Sequence, residues 1–281
     1  MTDASKTPTR LIPFDECIDN LIVRIQPTDA DDCAWWADEG AWRKRTTIGP
    51  FIGLTGVMKP NSLTVVQAPR LLAVDVTLAT ALAVAQAGGS VLVVDLRDAE
   101  IDVVQRIGLV HVGMPELSHS RLAMNAATAN DIATRLMELS ALPITVAVDR
   151  HLKMSDLSSL TIKWALAQSK PDLPSPIGLL VITGVERMVH DAEQWRAWKI
   201  IARQVRCSML VALATEERPQ SDEYRKSDDR ADTWIRCDEM VEIHTERSGT
   251  YQPVLERCWL RPPTTLPMIV HDPLRGRCTI S

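Results

Sequence analysis

The sequence predicts an α/β domain built on a mostly parallel sheet with helices on both faces and an antiparallel extension towards its C-terminal end. Three observations carry that prediction. From Leu63 onward, short apolar runs alternate with segments of helical period, the pattern of strand–helix–strand units. The runs are mostly apolar rather than apolar at every second position, as expected of strands covered on both faces. The length of 281 residues and the hydrophobic share of 46% supply the core of one large domain.

In chain order, residues 1–10 form a polar tail expected to be disordered. Phe14, Ile18, Leu21 and Ile25 then recur at helical spacing in "FDECIDNLIVRIQ", which gives a short amphipathic helix. Its apolar stripe either packs on the chain's own domain or is offered to a neighbour. The acidic loop "PTDADDC" and the segment "AWWADEGAW" follow, with Trp35 and Trp36 read either as an anchor onto the domain or a partner, or as core. Residues 11–47 are thus a linker helix with a Trp-rich acidic segment, and 48–281 form the main domain.

Strands are expected at 63–67, 91–95, 144–148, 178–183 and 208–214. The helix after the third strand should bury Leu157, Leu160, Trp164 and Ala167, and the next Trp195, Trp198, Ala202 and Val205. Tryptophans at that spacing are read as core rather than as a platform for bases. Met240–His244, Val254–Trp259 and Pro267–Val270 read as antiparallel strands. The charged stretch from Ala214 to Thr233 reads as a long mobile loop.

The net charge of −5 leaves no electrostatic footprint for nucleic acid. The start "MTDASKTPTR" has no signal-peptide character, and no run approaches the roughly 20 apolar residues of a membrane span. A cytoplasmic protein without a membrane partner is expected. The six cysteines never fall in C-x-x-C spacing and are read as reduced thiols. The histidines show no metal-ligand spacing, so no metal site is assigned.

The stretch "LTVVQAPRLLAVDVTLATALAV" has the strand–break–helix frame of a phosphate-binding loop. Such a loop needs glycines, so that backbone N–H groups can close on phosphates, and a lysine to meet their charge. Between Gln67 and Thr80 there is neither, and no G-K-[ST] occurs anywhere in the chain.

The ordered segments "IGLTGVMKPNSLTVV", "GGSVLVVDLRDAEIDVVQRI", "PITVAVDRHLKMSDLSSLTIKWALAQS", "IGLLVITGVERM" and "QPVLERCWLRPPTTLPMIVHDP" together resemble the C-terminal, RecA-like motor domain of DnaB-type replicative helicases. The likeness runs from about residue 10 to the end, with Asn61 where that family has a turn glycine and Asp149 and Asp156 at its acidic positions. It implies a RecA-like P-loop NTPase fold and an ATP-driven motor on single-stranded DNA.

Residue by residue, the catalytic parts implied by the resemblance are replaced. The phosphate-loop lysine falls at Val74 or Asp75, and the glycine before it at Ala73 or Val74. The water-polarising glutamate falls at Arg97, the magnesium-supporting aspartate at Thr183 and the γ-phosphate-sensing glutamine at Thr215. The trans-acting lysine–arginine pair falls at Trp259 and Arg261, so Arg261 is either a surviving arginine finger or an ordinary surface residue. Asp95, Arg97 and Asp98 are either a strand-end ligand cluster or mutually neutralising charges.

The family's channel-facing DNA loop corresponds to the stretch holding Arg225, Lys226 and Arg230, which acidic residues outnumber, so DNA binding is expected to be weak or absent. No catalytic residue and no cofactor is expected; ATP and magnesium enter only if the nucleotide site is atypical. The resemblance also implies that the helix bearing Phe14, Ile18, Leu21 and Ile25 docks on an adjacent subunit, and no counterpart of the family's primase-engaging N-terminal domain is expected. The leading expectation is an oligomeric pseudo-ATPase of phage or mobile-element type that binds itself or a DnaB-type helicase subunit. The alternatives are an active helicase with an unusual site and a purely structural self-assembling protein.

Overall fold

The computed structural model describes residues 11–24, 61–86, 88–96, 103–108, 126–149, 151–168, 178–185, 192–214, 232–243, 248–257, 264–265, 269–272 and 277–280. A short strand β1 (Ile12–Pro13) leads into helix α1 (Phe14–Arg24). Then follow β2 (Leu63–Ala68), α2 (Arg70–Gln86), β3 (Val91–Asp95), a helical stretch at 103–108, α3 (Ala126–Ser140), β4 (Ile144–Val148) and α4 (Met154–Gln168). The chain continues through β5 (Leu179–Thr183), α5 (Ala192–Val205), β6 (Ser208–Ala214), β7 (Thr233–Ile243), β8 (Ser248–Arg257), β9 (Thr264–Thr265), β10 (Ile269–Asp272) and β11 (Arg277–Ile280).

All the strands join one sheet in the order β1-β4-β3-β5-β6-β2-β7-β8-β10-β11, with β9 beside β8. The run β4-β3-β5-β6-β2-β7 is parallel throughout, and everything after β7 is antiparallel. The expected mostly parallel sheet with an antiparallel extension is therefore present, and the five expected parallel strands agree with β2–β6 to within one residue at either end.

Alternate residues of each central strand feed two separate cores. Val66, Val93, Val181 and Leu210 face the side covered by α1, α2 and α3, whereas Val65, Leu92, Leu180 and Val211 face the side covered by α4 and α5. Burial on both faces is what the uninterrupted apolar runs encode. Helix α2 is buried on most of its circumference because it lies between the sheet and further elements. Its Thr77 and Thr80 hydroxyls stay satisfied there by donating to the carbonyls of Val74 and Val76, both at 2.8 Å.

Several expectations change. Phe14 (1% exposed) and Ile18 (fully buried) pack in the chain's own core with Leu136, Leu139 and Val146. These two residues are therefore used internally, which corrects their assignment to a partner-binding stripe; the side chain of Leu21, and Ile25, lie outside the described residues. Ala167 is exposed, because the stripe of α4 turns away from the sheet after Trp164. Strand β7 begins at Thr233 and first runs parallel beside β2, well before the expected Met240. Its charged residues alternate with the buried Ile235 and Cys237, so its signal is period two rather than a continuous apolar run. The expected mobile loop falls on 215–231, outside the described residues.

Two helices end in the same way. After α5, Cys207 N–H donates to the Ala202 carbonyl (3.1 Å) and Arg206 N–H to that of Arg203 (3.3 Å). After α2, Gly89 donates to Val84 and Gly88 to Ala85, both at 2.9 Å. This 6→1 and 5→2 pairing requires a left-handed residue at the stop, and Gly88 (φ 86°) supplies it without strain whereas Arg206 (φ 57°) carries a Cβ there. Asn61 (φ 56°) is also left-handed, which accounts for a glycine being usual at that turn. Arg206→Gly should therefore stabilise the protein by about 1 kcal/mol and Gly88→Ala should destabilise it by about 1 kcal/mol, both read from urea midpoints.

Among the described residues Cys17, Cys207 and Cys237 form no disulfide. Burial pushes the Cys207 thiol from 9.0 up to about 12, so the folded state holds its proton more tightly than the unfolded chain. That contribution is complete below the lower value and is lost as pH rises from 9.0 to about 12. Cys207 should resist iodoacetamide at pH ~8 until the protein unfolds, as peptide mass spectrometry would show.

Candidate functional site

In open α/β sheets ligands bind beyond the carboxyl ends of the strands. Here that edge is formed by Ala68, Asp95, Val148, Thr183 and Ala214, the last residues of β2, β3, β4, β5 and β6. The passage from β2 to α2 opens onto this edge. The strand ends at Ala68, the helix starts at Arg70, and only Pro69 lies between. The Pro69 carbonyl already accepts the Ala73 N–H at 2.9 Å, so the helical ladder is running from its first turn. Ala73, Val74 and Asp75 consequently sit within a helix, and their backbone amides cannot wrap a phosphate as loop amides do.

The Asp75 side chain is fully buried and engaged on both oxygens. Arg106 donates from Nε to Oδ1 (2.5 Å) and from Nη2 to Oδ2 (2.6 Å), the two-pronged geometry of a guanidinium on a carboxylate. His271 Nε2 lies 2.7 Å from the same Oδ2, and its ring meets Tyr251 edge-on at 6.2 Å between centroids. Arg106 is 9% exposed and His271 2%. One carboxylate thus joins three distant pieces of chain: α2, the helical stretch 103–108 and β10. An isolated carboxylate in such a place would be prohibitively desolvated, so its two partners are a condition of the fold.

Thr183 is 2% exposed, and among the described residues its hydroxyl has no hydrogen-bond partner. It stands opposite Asp95 in the β3–β5 register, and its own carbonyl accepts the Leu96 N–H at 3.1 Å. A lone hydroxyl there is a weak ligand for a hard cation. Among the described residues no group of three His, Cys, Asp or Glu side chains could hold a metal ion. Asp149 Oδ1 accepts the His151 N–H at 2.8 Å, turning the chain towards α4, and Asp156 lies in the first turn of α4, where the helix dipole favours an acid.

Of the sequence-predicted site residues, the structure brings Asp75 into a cluster and leaves Val74 beside it, partly buried against the same core. Arg97, Thr215, Trp259, Arg261, Arg225, Lys226, Arg230, Trp35 and Trp36 lie outside the described residues. Arg106 and His271 were given no role by sequence reasoning. The signal that could have found them is Asp75 itself, an acid inside an otherwise apolar helix, which demands a cation from elsewhere.

Replacing Asp75 with Ala leaves the Arg106 guanidinium buried without its counter-ion. The expected cost is about 3–5 kcal/mol. Combining Asp75→Leu with Arg106→Met and His271→Phe should recover most of it, since no charge then remains buried. Urea denaturation of the single and triple variants checks both.

No protein-family model and no curated protein sequence matches the chain. Solved structures do. The ATPase domain of G40P superposes with a TM-score of 0.62 at 14% identity, over 83% of this chain and 90% of that one. A DnaB-like replicative helicase, described with its interactions with primase, superposes with a TM-score of 0.63 at 13% identity, over 82% of this chain. The match spans 62% of the length of that helicase chain. With β4-β3-β5-β6-β2-β7 in parallel and the antiparallel extension beyond them, the chain has the RecA-like fold of the ATPase domains of DnaB-like replicative helicases.

Proposed function

We propose that the chain is a DnaB-like domain degenerate for ATP turnover, acting through protein contacts in or against a DNA replication assembly. The observation that carries the reading is the buried carboxylate of Asp75, held by Arg106 and His271 on a helix that follows β2 with only Pro69 between. A negative charge locked inside α2 and a missing loop oppose phosphate binding through charge and backbone geometry together. Each lost charge-assisted hydrogen bond removes about 1.5–3 kcal/mol. Losing two or three, about 3–9 kcal/mol in all, therefore weakens nucleotide binding by roughly 10²–10⁶-fold.

Thr183 at the position of the metal-supporting aspartate, and Arg97 at that of the catalytic glutamate, extend the same reading from binding to hydrolysis. The partners that fit the fold are another copy of the chain and a subunit of a DnaB-type helicase. Nucleic acid takes little or no part. Among the described residues no helix is long and apolar enough to cross a membrane.

Isothermal calorimetry with Mg-ATP at millimolar concentration should show no saturable heat, and a phosphate-release assay should show no turnover above the buffer rate. Asp75→Lys should not restore either, because it breaks the pair with Arg106 and builds no loop. Micromolar Mg-ATP binding would establish the competing reading of an active helicase with an atypical site. Co-purification with a DnaB-type helicase supports the replication role. Self-association without helicase binding would leave a structural assembly protein.

A further inference from the structure

The parallel run of the sheet ends at β4 (Ile144–Val148), whose sequence "ITVAV" has no charge, no proline and no glycine. An apolar strand left open at an edge offers unpaired backbone groups to any other strand, and proteins cover or charge such edges. Among the described residues the cover is β1, which pairs antiparallel with β4 through Ile12↔Val146 and Pro13↔Thr145. Helix α1 continues from it and lies against α3 and β4. Ile12, Phe14, Cys17 and Ile18 are buried there in one cluster with Leu136, Leu139 and Val146, while Pro13, Asp15 and Asp19 are exposed.

This cover is a small attachment to a domain held together by other means. Strand β4 is paired with β3 along its whole length, from Ile144 to Val148, whether or not β1 is in place. The cluster of Asp75, Arg106 and His271 takes nothing from residues 11–24. Pro13 has no N–H to give to the ladder, so the pairing of β1 with β4 is weak as well as short. Both β1 and α1 precede β2 in chain order and join it through residues 25–60, so they can leave the domain without unthreading any other element. Regions held by few buried side chains and few backbone pairs open at lower free energy than the domain as a whole.

We propose that β1 and α1 form a strap that opens independently of the domain, and that the closed strap keeps the β4 edge from pairing with the β4 edge of a second copy. Opening bares an uncharged strand edge beside the apolar side chains of Leu136, Leu139 and Val146. The same edge of a second copy, related by a two-fold axis, matches it without placing like charges together and runs antiparallel to it, as two-fold symmetry requires. The inference goes beyond the nucleotide reading and holds or fails without it.

Cys17, fully buried in the strap, reports its opening, and the buried Cys207 and Cys237 report the domain. The full chain is treated with N-ethylmaleimide at urea concentrations below the unfolding transition, and each cysteine is followed by peptide mass spectrometry. Cys17 should label ahead of the other two, with a several-fold shallower dependence on urea because its opening exposes less surface. Phe14→Ser should speed Cys17 on the order of 100-fold and leave Cys207 and Cys237 unchanged. Light scattering should show that protein released by Phe14→Ser, or trapped open by the bulky label on Cys17, has twice the mass of the closed form. The label on the unsubstituted chain keeps the test independent of whether the variant folds. Thr145→Lys, which puts a charge on the edge, should return the mass to that of the closed form. An equal urea dependence at the three cysteines would make β1 and α1 an integral part of the domain and overturn the proposal. So would an unchanged mass after release, or a rise in mass that Thr145→Lys leaves in place.

Discussion

The ion pair between Asp75 and Arg106, completed by His271, is the constraint around which one face of the sheet is arranged. Hydrophobic burial would hold α2 on the sheet in any of several rotations, because apolar residues surround it on most sides. A fully buried carboxylate admits few: its oxygens must meet Arg106 Nε and Nη2 and His271 Nε2 together. Directional, charge-assisted bonds in a dry interior thus fix the rotation of α2 and bring β10 and the stretch 103–108 to it. The antiparallel extension, which starts beyond β7, is thereby tied to the first helix of the parallel unit.

The same interaction bears on function. In a phosphate loop the chain between strand and helix is kept open so that its amides stay unpaired for a ligand. Here Pro69 alone separates the two elements, and its carbonyl receives the Ala73 amide. The helix extends back over the positions the loop would occupy, and the position after Val74 carries an acid whose partners are already inside the protein. Thr183, across the sheet edge, keeps a hydroxyl without a partner among the described residues. Such an unmet group carries a desolvation cost of about 1–3 kcal/mol, and its persistence marks a place where the fold tolerates a residue that packing alone does not favour.

The parallel strands were legible because burial on both faces leaves little that is polar in "LTVVQA", "VLVVD" or "LLVIT": Thr64 and Gln67 in the first, and only the last residue in each of the other two. Asn61 at a glycine position was legible as a turn for a physical reason, its left-handed backbone. The partners of Asp75 were not, since His271 lies 196 residues away and no local pattern encodes which side chain closes on a buried acid. Helix α1 shows a subtler limit: its periodicity announces an apolar stripe but not its owner, and Phe14 and Ile18 turn out to complete the core against α3. The part of strand β7 before Met240 escaped because alternating charges masked a half-buried strand beside β2.

The central claim is that residues 70–75 are helix held by a buried charge network rather than an open loop awaiting phosphate. Amide hydrogen exchange of Ala73, Val74 and Asp75, resolved by residue and followed with and without Mg-ATP, tests it most directly. The account predicts slow exchange in the protein alone, no change on adding nucleotide, and faster exchange in Arg106→Met. Fast exchange that becomes protected only when Mg-ATP is present would mean that the segment is a nucleotide-ordered loop, and would contradict the account.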